Sequence, residues 1–174
     1  MDITQDGLII VFTGSGKGKT TAALGIALRA SGHGRKTVIV QFMKGKETSG
    51  EQLVGNLPLI EVHAFGTGFF RSGDDPEPQK KAAAEGWKMA EDFILSGDAD
   101  ILVLDEISHA VNLGLLPGET VLAAIRRRRP GFHIVLTGRD MPDILMKIAD
   151  IATEMKEIRH IYQQGRPAAM GIDY

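Results

Sequence analysis

The residues from Thr13 to Thr21 read TGSGKGKTT, and their types and spacing suit the binding of a phosphate chain. Gly14, Gly16 and Gly18 let a backbone curl tightly, because no Cβ obstructs the turn. Lys19 can set a point charge on phosphate oxygens, and the Thr20 hydroxyl can ligate the Mg²⁺ that neutralises the rest. Ser15, Lys17 and Thr21 complete the stretch expected to hold nucleotide phosphates. The usual phosphate-loop pattern is G-x-x-x-x-G-K-[ST], and here Thr13 stands at its first position. A plain strand-to-helix turn needs neither so many glycines nor a lysine inside it.

Other residues could serve the same chemistry. The run ILVLDE ends in Asp105 and Glu106, where phosphate-loop proteins commonly place the second acidic group on Mg²⁺. The competing role for such a pair is to cap a following helix. Adjacent strand residues point to opposite faces, so the sequence leaves open which of the two touches the metal. Gln41 and Lys44 in QFMKG, with Lys46 just beyond, could meet phosphates or form a solvated basic loop. Arg139 in TGRD could meet a phosphate or form an internal ion pair. Phe69 and Phe70 sit in the loop GTGFFRSGDD, where exposed rings need a core, a partner or an apolar ligand to cover them. The five histidines have no metal-ligand spacing, and Arg126 to Arg129 suit the negative end of a helix better than nucleic acid.

These groups need a scaffold that brings them to one edge. GLIIVF at residues 7–12 is an apolar run of strand length, and TTAALGIALRA at 20–30 is rich in helix formers. Further strands are expected at 36–42, 58–65, 101–105 and 132–138, with a last one inside 151–158. Helices are expected at 50–57, 79–96, 118–129 and 142–148, with a polar loop over 66–78. Strands alternating with helices predict an α/β fold whose mainly parallel β-sheet is flanked by helices, as one unit over residues 1–174. In such sheets ligands lie beyond the carboxyl ends of the strands, where the phosphate loop, the Asp105–Glu106 pair, QFMKG and TGRD fall.

Composition narrows the function classes. Of the 174 residues, 43% are hydrophobic and 24% charged, which suits a globular chain. A net charge of −2 gives no global attraction to nucleic acid or anionic membrane. With no cysteine, disulfides, thiolate metal sites and cysteine nucleophiles are excluded. The polar start MDITQDG and the lack of an apolar run near ~20 residues predict a cytoplasmic location without a membrane span.

The chain closely resembles the P-loop type of ATP:corrinoid adenosyltransferase, the cob(I)yrinic acid a,c-diamide adenosyltransferases of vitamin B12 biosynthesis and salvage. That family's loop characteristically reads TGxGKGKTT, so Thr13 is part of the match. The resemblance continues through GHGRKTVIVQFMKG at 32–45, GTGF at 66–69, VLDEI at 103–107 and GLL at 114–116. It ends with TGR at 137–139, AD-x-x-TEM ahead of His160, and the terminal GIDY, in order over nearly the whole chain.

The resemblance implies a RecA-like P-loop NTPase fold, a homodimer, and transfer of the 5′-deoxyadenosyl group of ATP to Co(I) of a reduced corrinoid, with triphosphate leaving intact. It assigns Gly14 to Thr20 to the triphosphate and Glu106, with Thr20, to Mg²⁺ or Mn²⁺. The loop bearing Phe69 would lie against the corrin and help exclude its lower axial ligand, and a reduced flavoprotein would supply electrons. Co(I) is itself a strong nucleophile, which agrees with the absence of a recognisable triad. Many members carry a tryptophan soon after GTGF, whereas this chain has Phe70 and Arg71, so its aromatic wall is expected to use Phe69 with Phe70. The competing functions are a P-loop ATPase or nucleotide kinase, and a nucleotide-gated corrinoid-binding protein without chemistry.

Overall fold

The computed structural model describes residues 7–45, 50–68, 75–95 and 97–172, and its centre is a six-stranded parallel sheet. The strands are β1 (Ile9–Thr13), β2 (Thr37–Gln41), β3 (Ile60–Ala64), β4 (Ile101–Asp105), β5 (His133–Thr137) and β6 (Ile151–Glu154). Their spatial order is β3-β2-β4-β5-β1-β6. The helices are α1 (Lys19–Ser31), α2 (Glu51–Val54), α3 (Glu77–Leu95), α4 (Ile107–Asn112), α5 (Gly118–Arg126) and α6 (Asp143–Met146), followed by a 3₁₀ turn at Ile161–Gln164.

The period-2 alternation of the strands builds two apolar layers. Val38, Val40, Leu102, Leu104, Ile134 and Leu136 share one core with Trp87 and Ala90 of α3 and with Val121 and Ile125 of α5. The residues between them, Ile39, Val103 and Val135, pack with Ala23, Ala27 and Ala30 of α1. Those alanines recur at helical spacing on one face, and their small size lets α1 lie close to the sheet. The helix after the phosphate loop is thus seated on the central strands.

The ends of the elements differ from expectation in places that matter. The strand ILVLD is followed at once by α4, which the sequence did not announce, because Glu106 starts it in a left-handed conformation (φ 61°) without a side-chain cap. α5 stops at Arg126, three residues before the expected end. The last two arginines of the run, Arg128 and Arg129, lie beyond the helix and therefore act as staples rather than as dipole partners. Arg128 donates to the carbonyls of Gly7 and Ile125, at 2.8 and 3.4 Å. Arg129 donates to the carbonyls of Phe93 (2.9 Å) and Ala99, with its guanidinium 4.2 Å above the Phe132 ring.

Arg129→Ala removes a charged donor from two carbonyls and a cation from the ring, so unfolding free energy should fall by about 1.5–3 kcal/mol. Arg129→Lys should recover less than half, because an ammonium lacks the planar fork. Urea denaturation midpoints check both values.

Candidate active site

The phosphate loop occupies the carboxyl end of β1 and leads directly into α1. Gly14 (φ 96°) and Gly18 (φ 113°) hold left-handed backbone conformations that a Cβ strains. Lys19 is buried, and its Nζ donates to the carbonyls of Gly14 and Gly16, both at 2.8 Å. Burial pushes the Lys19 ammonium below its ordinary pKa; Glu106 opposes that shift and Arg139 adds to it.

The loop is also held from behind. After β6 the chain passes beneath it, where the Gly16 amide donates to the Met155 carbonyl at 2.6 Å and Met155 N donates to Thr13 O at 2.8 Å. A Cβ on Gly14 would come 2.5 Å from Met155 O, and one on Gly16 would come 2.7 Å from the same atom. Two of the glycines are therefore required by this strap as well as by any ligand. The strap then turns back over the loop, so that His160, Tyr162 and Arg166 wall a cavity of about 840 Å³ opposite Lys19, Thr20 and Glu106.

Asp105 and Glu106 have unlike surroundings. Asp105 is fully buried, and Thr20 Oγ1 and Thr137 Oγ1 donate to its Oδ1 at 2.8 and 2.7 Å. Gln41 Nε2 donates to Oδ2 at 3.1 Å, and Lys44 Nζ stands 3.9 Å away. Burial raises the Asp105 pKa; the Lys44 charge and the Thr137 and Thr20 hydroxyls oppose the rise without cancelling it. Glu106 instead lines the cavity. Burial pushes its carboxyl up, but His109, then Lys19 and Lys44, outweigh that and hold it below the usual range. His109 Nδ1 lies 2.5 Å from Glu106 Oε2, an ion pair when the histidine is protonated, although the angles complete no hydrogen bond for either atom. The contact with Glu106 raises the histidine's pKa.

Of the residues singled out in the sequence, Ser15 to Thr21, Lys44, Glu106 and Arg139 share this cavity, whereas Gly14 is not in its lining and is tied to it only by accepting from Lys19 Nζ. Gln41 does not: it is wholly buried beneath Asp105, so the expected phosphate or substrate contact is replaced by a supporting bond. Lys44 is paired with Glu51 at 2.5 Å, a partner the sequence did not suggest. Lys46, Phe69, Phe70 and Arg71 lie outside the described residues. Sequence reasoning missed the strap, Thr137 and Ser108. The TEM and TGR blocks were the available signals, the second of them carrying Thr137 two residues before Arg139.

A glycine loop with a buried lysine, opening onto a cavity at the carboxyl edge of a parallel sheet, defines a P-loop protein of the NTPase fold class. The model of one family, ATP:corrinoid adenosyltransferase BtuR/CobO/CobP, matches residues 5–174, and the chain belongs to that family. It is 38% identical over 170 residues to the corrinoid adenosyltransferase of Escherichia coli K12, covering 98% of this chain and 87% of the relative. Identity is 37% over 170 residues, with the same coverage, to the corrinoid adenosyltransferase CobA of Salmonella typhimurium. Against the corrinoid adenosyltransferase of Pseudomonas aeruginosa it is 35% over 172 residues, covering 98% of this chain and 85% of the relative. Among solved structures, the flagellar accessory protein FlaH from Methanocaldococcus jannaschii shares the fold, with a TM-score of 0.55 at 12% identity, covering 86% of this chain and 71% of FlaH.

Two glycine substitutions should move in opposite directions. Gly16→Ala forces the strap away from the loop and should weaken ATP binding by about tenfold or more, measured by calorimetry. Gly25→Ala, in the middle of α1 with nothing within 4 Å of the added Cβ, should raise stability by about 0.5–1 kcal/mol and leave ATP binding unchanged.

Proposed function

We infer that this chain transfers the 5′-deoxyadenosyl group of ATP to Co(I) of a reduced corrinoid and releases triphosphate. The observation that carries this reading is the character of the cavity. Its wall combines the phosphate loop, Lys19, Lys44 and Arg139 with two carboxylates, Glu51 paired with Lys44 and Glu106 beside His109. These groups bind and orient polyphosphate. Co(I) brings the electron pair, which forms the bond to C5′ of ATP. The C5′–O bond breaks, its pair leaves on the triphosphate, and cobalt becomes formally Co(III). No proton has to move in that step, so the site's work is alignment and stabilisation of a leaving anion.

The residues take the following parts. Gly14 to Thr20 cradle the triphosphate, with Thr21 at the start of α1 beside it; the α1 amino end and Lys19 supply positive potential, and Lys44 and Arg139 supply more at the rim. Thr20 and Glu106 fit Mg²⁺ or Mn²⁺, because a hydroxyl and a carboxylate on one cavity wall are the hard oxygen donors such ions take alongside phosphates. When bound, the ion supplies charge neutralisation to the departing triphosphate. Asp105, enclosed by three donors, suits support of Thr20 better than direct ligation.

Phe69 is assigned to the corrin face by the family pattern, and Phe70 joins it where this chain departs from the tryptophan of many members; Gln79 accepts from the amide and hydroxyl of Thr67 at the foot of that loop. A homodimer agrees with the exposed apolar side chains of the strap, Ile158, Tyr162, Met170 and Ile172. A reduced flavoprotein is the donor that would bring the corrinoid to Co(I), and the cytoplasm is where that donor and ATP meet. Among the described residues no helix is long and apolar enough to cross a membrane.

Anaerobic incubation with ATP and chemically reduced corrinoid should give a light-sensitive adenosylated product and one triphosphate per turnover. ADP and phosphate released without corrinoid would instead indicate an ATPase or kinase, and tight corrinoid binding without product a carrier. Lys19→Ala should abolish productive ATP binding, and near-normal turnover at saturating ATP would remove its role. Phe69→Ala should slow reaction of Co(II) corrinoid under a mild reductant more than that of preformed Co(I). Equal slowing would remove the axial-ligand role.

A further inference from the structure

Thr137 lies at the carboxyl end of β5, wholly buried, where its one hydroxyl makes two bonds of opposite sense. It donates to Asp105 Oδ1 at 2.7 Å and accepts from the Glu106 amide at 2.9 Å. Thr20 Oγ1 donates to the same Asp105 oxygen at 2.8 Å. A continuous chain therefore runs from the phosphate loop through Thr20, Asp105 and Thr137 to the main chain of Glu106. We propose that Thr137 is a positioning residue for adenosyl transfer, holding Glu106 in the conformation that turns its carboxylate into the nucleotide cavity. The proposal rests on the adenosyltransferase reading for its effect on turnover.

The argument begins with the backbone. Glu106 adopts φ 61° and ψ 27°, a conformation that costs a residue with a Cβ about 1–3 kcal/mol and persists only where its surroundings impose it. It ends the extended run of β4 and opens α4 within one residue, and α4 has no side-chain cap to fix that turn. The Thr137 hydroxyl instead holds the amide of Glu106, the residue before α4, from the neighbouring strand. An extended Glu106 would continue the strand alternation, and its carboxylate would not be set by this turn toward Lys19.

The same corner is tied a second time. Ser108 Oγ, wholly buried in α4, donates to the Arg139 carbonyl at 2.6 Å. Between the two ties lies Gly138 at φ 139°, where a Cβ would come 2.0 Å from Ser108 Oγ. Thr137, Gly138 and Arg139 thus dock the end of β5 onto the start of α4, which places Arg139 and Glu106 on the rim of one cavity. A hydroxyl is needed at 137 because it gives and accepts at once; valine has the shape without either function.

The test compares Thr137→Val with Thr137→Ser in the full chain. Hydrogen exchange at the Glu106 amide reads the bond directly. It should accelerate about tenfold or more in the valine variant and stay near wild type in the serine variant. With preformed Co(I) corrinoid, kcat should fall about 10- to 100-fold for valine while KM for corrinoid changes less than about threefold, and serine should recover most of the rate. The proposal is overturned by unchanged exchange at Glu106 in the valine variant, by an unchanged kcat, or by serine and valine losing rate and thermal stability in parallel. If the wild type makes no adenosylated corrinoid, the adenosyltransferase reading fails and the positioning role in that reaction falls with it; the exchange measurement then still decides separately whether Thr137 holds Glu106.

Discussion

A carboxylate without access to water stands at the centre of this protein. Asp105 is fully buried at the end of β4, and a buried carboxylate left without donors costs several kcal/mol, about 3–5 when a partner is removed. Its donors come from three different elements: Thr20 from α1, Gln41 from β2 and Thr137 from β5. Each element must end at the right level for the set to close. Satisfying one carboxylate therefore fixes the heights of the helix that follows the phosphate loop and of both strands that flank β4. The cavity exists because these ends meet at Asp105 and the adjacent Glu106 faces the space above them.

This division of labour between neighbouring acids suits a reaction in which the protein supplies no nucleophile. A group transfer driven by the substrate's own electron pair gains from alignment, and each tenfold in rate corresponds to about 1.4 kcal/mol. A wandering carboxylate loses such increments easily. Asp105, inaccessible and held by hydroxyls and an amide, behaves as framework. Glu106, held below its usual pKa range by His109 and the lysines, stays charged at the cavity wall. The sequence shows only two adjacent acids, and their difference arises from a single backbone turn.

What could be read from the chain follows from which signals are local. The phosphate loop, the strands at β1, β2, β4 and β5, and the presence of α1 were legible because apolar periodicity and glycine spacing act over a few residues. Gln41 was misplaced because its register is set by pairing of β2 with β4, which puts Gln41 beside Asp105 across 64 residues of chain. Arg128 and Arg129 read as the end of a helix because nothing near them reveals the carbonyls of Gly7, Phe93 and Ala99. The role of the TEM block as a strap beneath the loop was missed for the same reason: its partners lie about 140 positions earlier in the chain.

That strap also explains the odd first residue of the loop. Thr13 stands where the common pattern has glycine, and in the structure it is still extended, paired with Glu154 of β6. Its amide-accepting hydroxyl takes a bond from Met141 N at 3.3 Å, so a side chain at this position is employed rather than merely tolerated. The conformation that excludes a Cβ begins one residue later, at Gly14. Moving the turn by one position lets β1 pair with β6 through its last residue, and that pairing delivers Met155 to the amide of Gly16. A glycine at 13 would surrender the hydroxyl and gain nothing from its freedom, since no left-handed backbone is required there. The threonine is therefore the consequence of a phosphate loop whose outer face is built from the end of the same sheet, and the alternating glycines are the space that face requires.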